Sequence, residues 1–311
     1  MAPVVSVAVC TRNRGVRARH TVEAVLRSAA DLDVEYEVLA VDNGSTDDTG
    51  ALLGELAAGE PRLRVVEEPH PGVSRARNAA LAAAAGDIIV FIDDDCAPEP
   101  GWLIRLTAPL VSGRFDIAAG AVRLAPEVER SWLAPLHLDL LASTRDGLGD
   151  PPRTVVGANW AFRRSALGTR SFDVRLGYGA LGSMEETLLY EQMRSAGARA
   201  VFVADAVVVH HVNPDRLRPE ALLDRAYDQG RGDGWMHWNW NAGKYSIRSY
   251  LRWLKVEVEL LRKGGRRRLA GELGDLELVR VIGHWRGYAR TRWISRDRPL
   301  RSRTTVAQAP H

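Results

Sequence analysis

Apolar runs and polar breaks alternate through the first hundred residues in a rhythm that predicts secondary structure. "VVSVAVC" (4–10) is a β-rich run that ends at the polar "TRNRG". Val16 to Ala30 fits a helix, and "YEVLAVD" (36–42) is the next strand, stopped by "NGSTDD", which also caps a helix in "TGALLGELAAG". "LRVVEE" (63–68) is a third strand. Gly72 then punctuates the chain before an alanine-rich helix, and "DIIVFID" (87–93) is a fourth strand. Apolar strands separated by helices predict an α/β fold with a mostly parallel, Rossmann-like sheet flanked by helices. Ligands of such sheets gather outside the carboxyl ends of the strands.

Beyond residue 100 the pattern is more mixed. "WLIRLTAPLVSG" suits a helix, "FDIAAGAVRL" a strand, and "PRTVVGANWAFRRSALG" a strand or turn leading into a helical start. "MEETLLYEQMRSAG" (184–197) carries Leu188, Leu189 and Met193 at helical spacing, and "ARAVFVADAVVVHHV" returns to strand. From Pro214 onward the chain reads as helical and basic, punctuated by glycines, without an independent second core. The expected organisation is an α/β catalytic domain over 1–213, a Trp/Arg-rich helical extension packing on it over 214–300, and a flexible tail over 301–311. "RKGGRRR" (262–268) reads as a loop.

Composition narrows the class. A hydrophobic fraction of 46% and a charged fraction of 26% over 311 residues argue against a fibre or wholesale disorder. A net charge of +3 is too mild to indicate nucleic acid. Two cysteines, Cys10 and Cys96, build no disulfide framework, which favours a reducing, cytoplasmic setting. The amino terminus reads as a strand rather than a signal peptide, and no window supplies the roughly 20 apolar residues of a membrane span. Any membrane contact would be peripheral, at the cytoplasmic face.

Three polar clusters follow strand ends and so share one edge of a parallel sheet: Thr11 to Arg14, Asp42 to Asp48, and Asp93 to Asp95. Neither G-x-G-x-x-G after the first strand nor a P-loop is present, so a nucleotide would be gripped in another way. Period-two geometry sends Asp93 and Asp95 to one side of the strand and Asp94 to the other. Closely packed, the outer pair needs protons, a basic group or a hard cation such as Mg²⁺ or Mn²⁺; the alternative is a solvated acidic turn. "GVSRARNAA" (72–80) offers Arg75 and Asn78 on one helical face near a helix start that favours anions, with Arg77 free to point elsewhere. Asp42 could accept a proton from a nucleobase N–H beside Thr11 and Arg12, or simply build a turn. Glu185 and Glu186 open a helix, as caps or as a catalytic base. His210 and His211 end a strand, so one of the two faces the shared edge.

Taken in order, "VAVCTRNR", "VDNGSTDDT", "GVSRARNAAL", "FIDDDCAP" and "GANWAFRRSAL…FDVRLG…EET…VVVHH" resemble family 2 glycosyltransferases of the GT-A fold, over roughly residues 4 to 212. The resemblance implies transfer from a nucleoside-diphosphate sugar (UDP, GDP or dTDP), usually with inversion and with Mn²⁺ or Mg²⁺. It implies that Asp42 and the Thr11–Arg12 region hold the nucleobase, and that Arg75 stands near the diphosphate. Asp93 and Asp95 match the outer positions of a D-x-D motif, with Asp95 on the metal and His210 completing it. Glu186 falls at the base position, where relatives usually carry aspartate. Trp160 matches a segment lining the sugar and acceptor pockets; its ring could stack on a sugar face or belong to the core. A saccharide, lipid-linked or small-molecule acceptor is implied. A non-catalytic sugar-nucleotide or carbohydrate-binding protein would keep the nucleotide site without needing Glu186.

Trp235, Trp238, Trp240, Trp253, Trp285 and Trp293 all lie after residue 230, interleaved with arginines. That pairing suits an interfacial helix beside anionic lipid, and equally a soluble cap or a homodimer surface.

Overall fold

A computed structural model describes residues 4–29, 34–144, 147–178, 180–240, 247–263 and 273–294. The expected tail, and most of the expected loop at 262–268, lie outside them. The chain divides into two compact units. The first comprises 1–130, 141–174 and 185–212, and the second comprises 131–140, 175–184 and 213 onward.

The first unit is built on a mixed sheet of β1 (Val5–Thr11), β2 (Tyr36–Asp42), β3 (Leu63–Glu67), β4 (Ile88–Asp93), β5 (Cys96–Pro98), β6 (Ile117–Leu124), β7 (Asn159–Arg163) and β8 (Ala200–His210). Their order is β3-β2-β1-β4-β7-β6-β8-β5. The half formed by β3, β2, β1 and β4 is parallel throughout, whereas β7 runs antiparallel to both β4 and β6, and β5 antiparallel to β8. Within the parallel half, β1, β2 and β4 are mostly apolar runs, as strands buried on both faces must be, while edge strand β3 is partly exposed.

Side-chain alternation assigns each face its own core. Val5, Val7, Val9, Ile88, Val90 and Ile92 point one way, into a core with Val22 and Val25 of α1 (Gly15–Ser28), Leu53 of α2 (Thr49–Gly59) and Trp102, Leu103 and Leu106 of α4 (Trp102–Val111). Ala8, Leu39, Val41, Ile89 and Phe91 point the other way. They meet Ala76, Ala80 and Leu81 of α3 (Val73–Ala83), and Leu189, Tyr190 and Met193 of a helix at Glu185–Ser195. This sandwich holds the parallel strand ends level: Thr11 is in register with Asp42, and Cys10 with Asp93.

The second unit is helical. It contains α5 (Pro135–Leu140), α8 (Pro219–Asn239), α9 (Ile247–Arg262) and α10 (Leu273–Ile294); the remaining helices, α6 (Arg164–Leu167) and α7 (Glu185–Ser195), belong to the first unit. Contrary to the sequence expectation, this unit has its own core, made by Leu140, Leu222, Leu223, Ala226, Leu260, Leu276, Val279 and Ile282. The core extends as backbone contact between two helices. A Cβ on Gly230 or Gly234 of α8 would stand 2.0 Å from the carbonyl oxygens of Arg280 and His284, respectively. A Cβ on Gly283 or Gly287 of α10 would stand 2.3 Å from those of Tyr227 and Arg231, respectively. Glycines that looked like interruptions are the contact surface itself.

Candidate active site

Strands β1, β2 and β4 end on one edge of the sheet, and the acidic triplet lies there with its three carboxylates in different settings. Asp93 is the last residue of β4; Asp94 and Asp95 form a turn before β5. Because the strand stops at Asp93, period two no longer applies beyond it. The structure therefore groups Asp94 with Asp95, not Asp93 with Asp95. Asp94 is 6% exposed and Asp95 8% exposed. Arg14 Nη1 donates to Asp94 Oδ1 at 2.7 Å and to Asp95 Oδ2 at 3.1 Å, and Thr11 Oγ1 donates to Asp94 Oδ2 at 2.6 Å. Burial pushes the Asp94 carboxyl up to about 6 against the pull of Arg14 and Thr11.

The β5–β8 pairing sets Cys96 opposite His210 and so brings Asp95 to the imidazole. His210 is buried; its Nδ1 lies 3.0 Å from the Leu141 carbonyl and its Nε2 lies 3.2 Å from Asp95 Oδ1. A carbonyl can only accept, so Nδ1 carries a proton, and in the neutral ring Nε2 offers a lone pair. Two acceptors then face each other at 3.2 Å, an arrangement that requires a second proton or a cation bound to both. Asp95, Cys96 and His210 present potential ligand atoms within 4.8 Å of one another. A carboxylate and an imidazole suit Mn²⁺ or Mg²⁺ better than a thiol does, and burial raises the Cys96 pKa well above its ordinary value. His211 faces away, with Nδ1 2.9 Å from Glu127. Asp93 is outside the ligand group.

A second arginine organises the other half of the site. Arg77 is 4% exposed; its Nη1 donates to Glu185 Oε1 at 2.8 Å and lies 3.7 Å from Glu186 Oε2, while Nη2 lies 3.4 Å from Asp93 Oδ1. Its guanidinium lies near the rings of Phe91 and Phe172, 6.0 and 5.6 Å from their centroids. Gly157 makes room for it, since a Cβ there would stand 2.3 Å from Nη2. Burial and the neighbouring Glu186 charge push Glu185 up to about 8, with Arg77 opposing. Glu185 is thus buried and held on Arg77, whereas the Glu186 side chain is 21% exposed and farther from the same cation.

The remaining candidates separate. Asp42 is half-buried at the end of β2 and accepts from the Ser45 N–H at 3.1 Å. Arg12 and Arg75 are exposed. Asn78 is engaged with the main chain, donating to the Phe172 carbonyl and accepting from its N–H, both at 2.9 Å. Of the two readings open for Trp160, the structure takes the core one. It is fully buried against Phe91, Phe162 and Phe172, with centroid separations of 6.1, 4.8 and 6.3 Å, so it presents no face to a sugar. Inward alternation on β7 puts it in the core.

Arg14, Arg77 and Cys96 were not singled out from sequence. Arg77 had a readable signal: with Val73, Ala80, Leu81 and Ala84 it follows the i, i+4, i+7 spacing of the inward face of α3, which excludes Arg75. Arg14 lies in the first polar cluster, but its partners depend on a turn 80 residues away.

The family model for glycosyl transferase family 2 matches residues 6–170. Glycosyltransferase AglE of Haloferax volcanii is 34% identical over 89 residues, covering 28% of this chain and 29% of that relative, so the match spans less than a third of its length. The succinoglycan biosynthesis protein ExoM of Rhizobium meliloti is 28% identical over 240 residues, covering 74% of each chain. Among solved structures, the mannosyltransferase PcManGT from Pyrobaculum calidifontis, in complex with GDP-Man and Mn²⁺, has a TM-score of 0.58 at 19% identity, covering 100% of this chain and 77% of that one; the likeness is one of fold. With its family model matching more than half of its length, and with the mixed, helix-flanked sheet that carries the site, the chain belongs to glycosyl transferase family 2.

Proposed function

We propose that this family 2 glycosyltransferase moves a sugar from a nucleoside-diphosphate sugar to an acceptor hydroxyl, with inversion, and that Glu186 is the general base. The observation that carries this reading is the unequal treatment of the two glutamates. Arg77 binds buried Glu185 at 2.8 Å and leaves Glu186 at 3.7 Å and partly exposed. Glu186 takes the proton from the acceptor hydroxyl as its oxygen bonds to the anomeric carbon, and the carbon–oxygen bond to the diphosphate breaks with its electron pair leaving on the diphosphate. Asp95 and His210 would hold Mn²⁺ or Mg²⁺, which neutralises charge on the diphosphate. Asp42, with Thr11 and Arg12 on the neighbouring strand end, is assigned to the nucleobase, Asp93 to ribose or sugar, and exposed Arg75 to the diphosphate.

The test is a thermal-shift and mass-spectrometric screen of UDP-, GDP- and dTDP-sugars with each cation. One donor should stabilise the protein in a cation-dependent way, and its slow hydrolysis should fall roughly 10²- to 10⁴-fold in Glu186→Gln. Stabilisation by none of the donors would overturn the assignment. Cation-dependent binding without turnover on a broad acceptor panel would favour a binding protein.

A second, separate reading concerns α9. Leu251, Leu254, Val258 and Leu261 are exposed by 53, 50, 45 and 73% and form one stripe, while Leu260 on another face joins the helical core. Exposed Lys255 and Arg262 border the stripe. We propose peripheral contact with an anionic lipid surface through this face. No described helix is long and apolar enough to cross a membrane. Full-length protein should float with phosphatidylserine liposomes and a Leu254→Glu/Leu261→Glu variant should not. Equal recovery of both in the unbound fraction, with a dimeric mass by light scattering, would assign the stripe to a second copy of the chain.

A further inference from the structure

The two arginines of the site differ in one respect that the proposed chemistry does not use. Arg77 is 5% exposed on its side chain and locked among three carboxylates, whereas the Arg14 side chain is 44% exposed although the two aspartates it binds are 8% and 6% exposed. The Arg14 backbone is fixed independently of its guanidinium. Its N–H donates to Thr49 Oγ1 at 3.1 Å, and its carbonyl accepts from Ala18 in the first turn of α1 at 2.8 Å. The preceding residue, Asn13, has φ +54° and is tied across to the next loop, its N–H to Ser45 Oγ at 2.9 Å and its Oδ1 to the Thr46 N–H at 2.8 Å. The side chain can therefore swing into solvent while its anchor stays in place.

The two carboxylate oxygens of Asp95 face different partners. Oδ1 faces His210 Nε2 at 3.2 Å, where a cation fits, and Oδ2 is held by Arg14 at 3.1 Å. Five carboxylates, Asp93, Asp94, Asp95, Glu185 and Glu186, face the two guanidiniums. A dication added beside Arg14 meets a like charge within the same small cluster; a dication that releases Arg14 from Asp95 does not. We propose that Arg14 is the resident counter-ion of the Asp94–Asp95 pair and that a divalent cation displaces it from Asp95, so that Arg14 sets the affinity of the site for the cation alone. This rests on the reading of Asp95 and His210 as the cation ligands.

Titration of the full-length protein with Mn²⁺ alone, followed by electron paramagnetic resonance, tests it without any turnover. Arg14→Met should tighten Mn²⁺ binding by about tenfold or more, and Arg14→Lys, which keeps the charge, should stay near the wild type. Because Arg14→Met leaves Asp94 buried without its cation, the same comparison is made between Asp94→Asn and Asp94→Asn/Arg14→Met, where the gain should persist. Unchanged or weaker Mn²⁺ binding on removal of Arg14, in both backgrounds, would overturn the proposal and make Arg14 a support for Asp95. Asp95→Asn separates the two readings: if Arg14→Met/Asp95→Asn binds Mn²⁺ as tightly as Arg14→Met, the ligand assignment itself fails, and the counter-ion role with it.

Discussion

At the scale of single residues, the site distinguishes groups that look equivalent. Glu185 and Glu186 are adjacent and chemically identical, yet one is buried on Arg77 and protonated up to about pH 8, and the other is partly exposed. Glu185→Gln should therefore leave most of the turnover in place, since it replaces a group that is already largely neutral, while Glu186→Gln removes it; comparing kcat for the two variants at pH 7 checks this. Arg77 is expected to matter first for stability. Replacing it with Met removes the hydrogen-bond donor of buried Glu185 and the cation that Asp93 and Glu186 face, a loss of about 1–3 kcal/mol. Urea unfolding of Arg77→Met measures that loss, and Arg75→Met, on the exposed face of the same helix, should change the midpoint little. The triplet itself was legible as a site but not in its division. Alternation carried past the strand end predicted Asp94 as the outlier, but the turn at Asp94 and Asp95 breaks that alternation and brings Asp94 to both Thr11 and Arg14.

At the scale of elements, legibility followed the source of the signal. Strands β1, β2 and β4 are legible within a residue or two because burial on both faces writes itself as mostly apolar runs, and edge strand β3 is legible from its β-branched pair Val65 and Val66. Short β5 was missed: three residues reading "CAP" carry no period, and only pairing with β8 makes them a strand. The helical unit was misjudged for a different reason. Its tightest helix pair is held by Gly230 and Gly234 against Gly283 and Gly287, and an apolar-stripe search counts glycine as a break. Those contacts make a prediction opposite to helix propensity. Alanine normally stabilises a helix relative to glycine by about 0.5–1 kcal/mol, but Gly234→Ala would set a methyl 2.0 Å from a carbonyl oxygen and should instead cost on the order of 1–3 kcal/mol. Gly274→Ala is the control, because it lies in α10 with nothing within 4 Å of its added Cβ, and it should be neutral or stabilising. Thermal denaturation of the two variants decides between packing and propensity.

At the scale of the whole molecule, the two units respond to acid in opposite directions. In the first unit, folded Glu185 keeps its proton up to about pH 8, whereas the unfolded chain releases it near 4.5. The folded state binds more protons across that interval, so the stability this group contributes grows as pH falls from 8 toward 4.5. In the second unit, burial with the nearby His237 and Arg280 charges pushes folded His284 down to about 4 from an ordinary 6.5. There the unfolded chain binds the extra proton, and stability is lost as pH falls from 6.5 toward 4. Between pH 7.5 and 5.5 the sheet should therefore gain and the helical unit lose. Urea unfolding followed by pulsed hydrogen exchange and mass spectrometry reads the units separately, through amides of β1 and β4 and of α8 and α10. Glu185→Gln should flatten the first trend alone. His284→Gln should flatten the second, separating the histidine's share from that of Asp233, whose buried carboxyl lies above its ordinary value and acts in the opposite sense. If both sets of amides shift together with pH and neither variant changes the slope, the opposed responses do not come from these two groups.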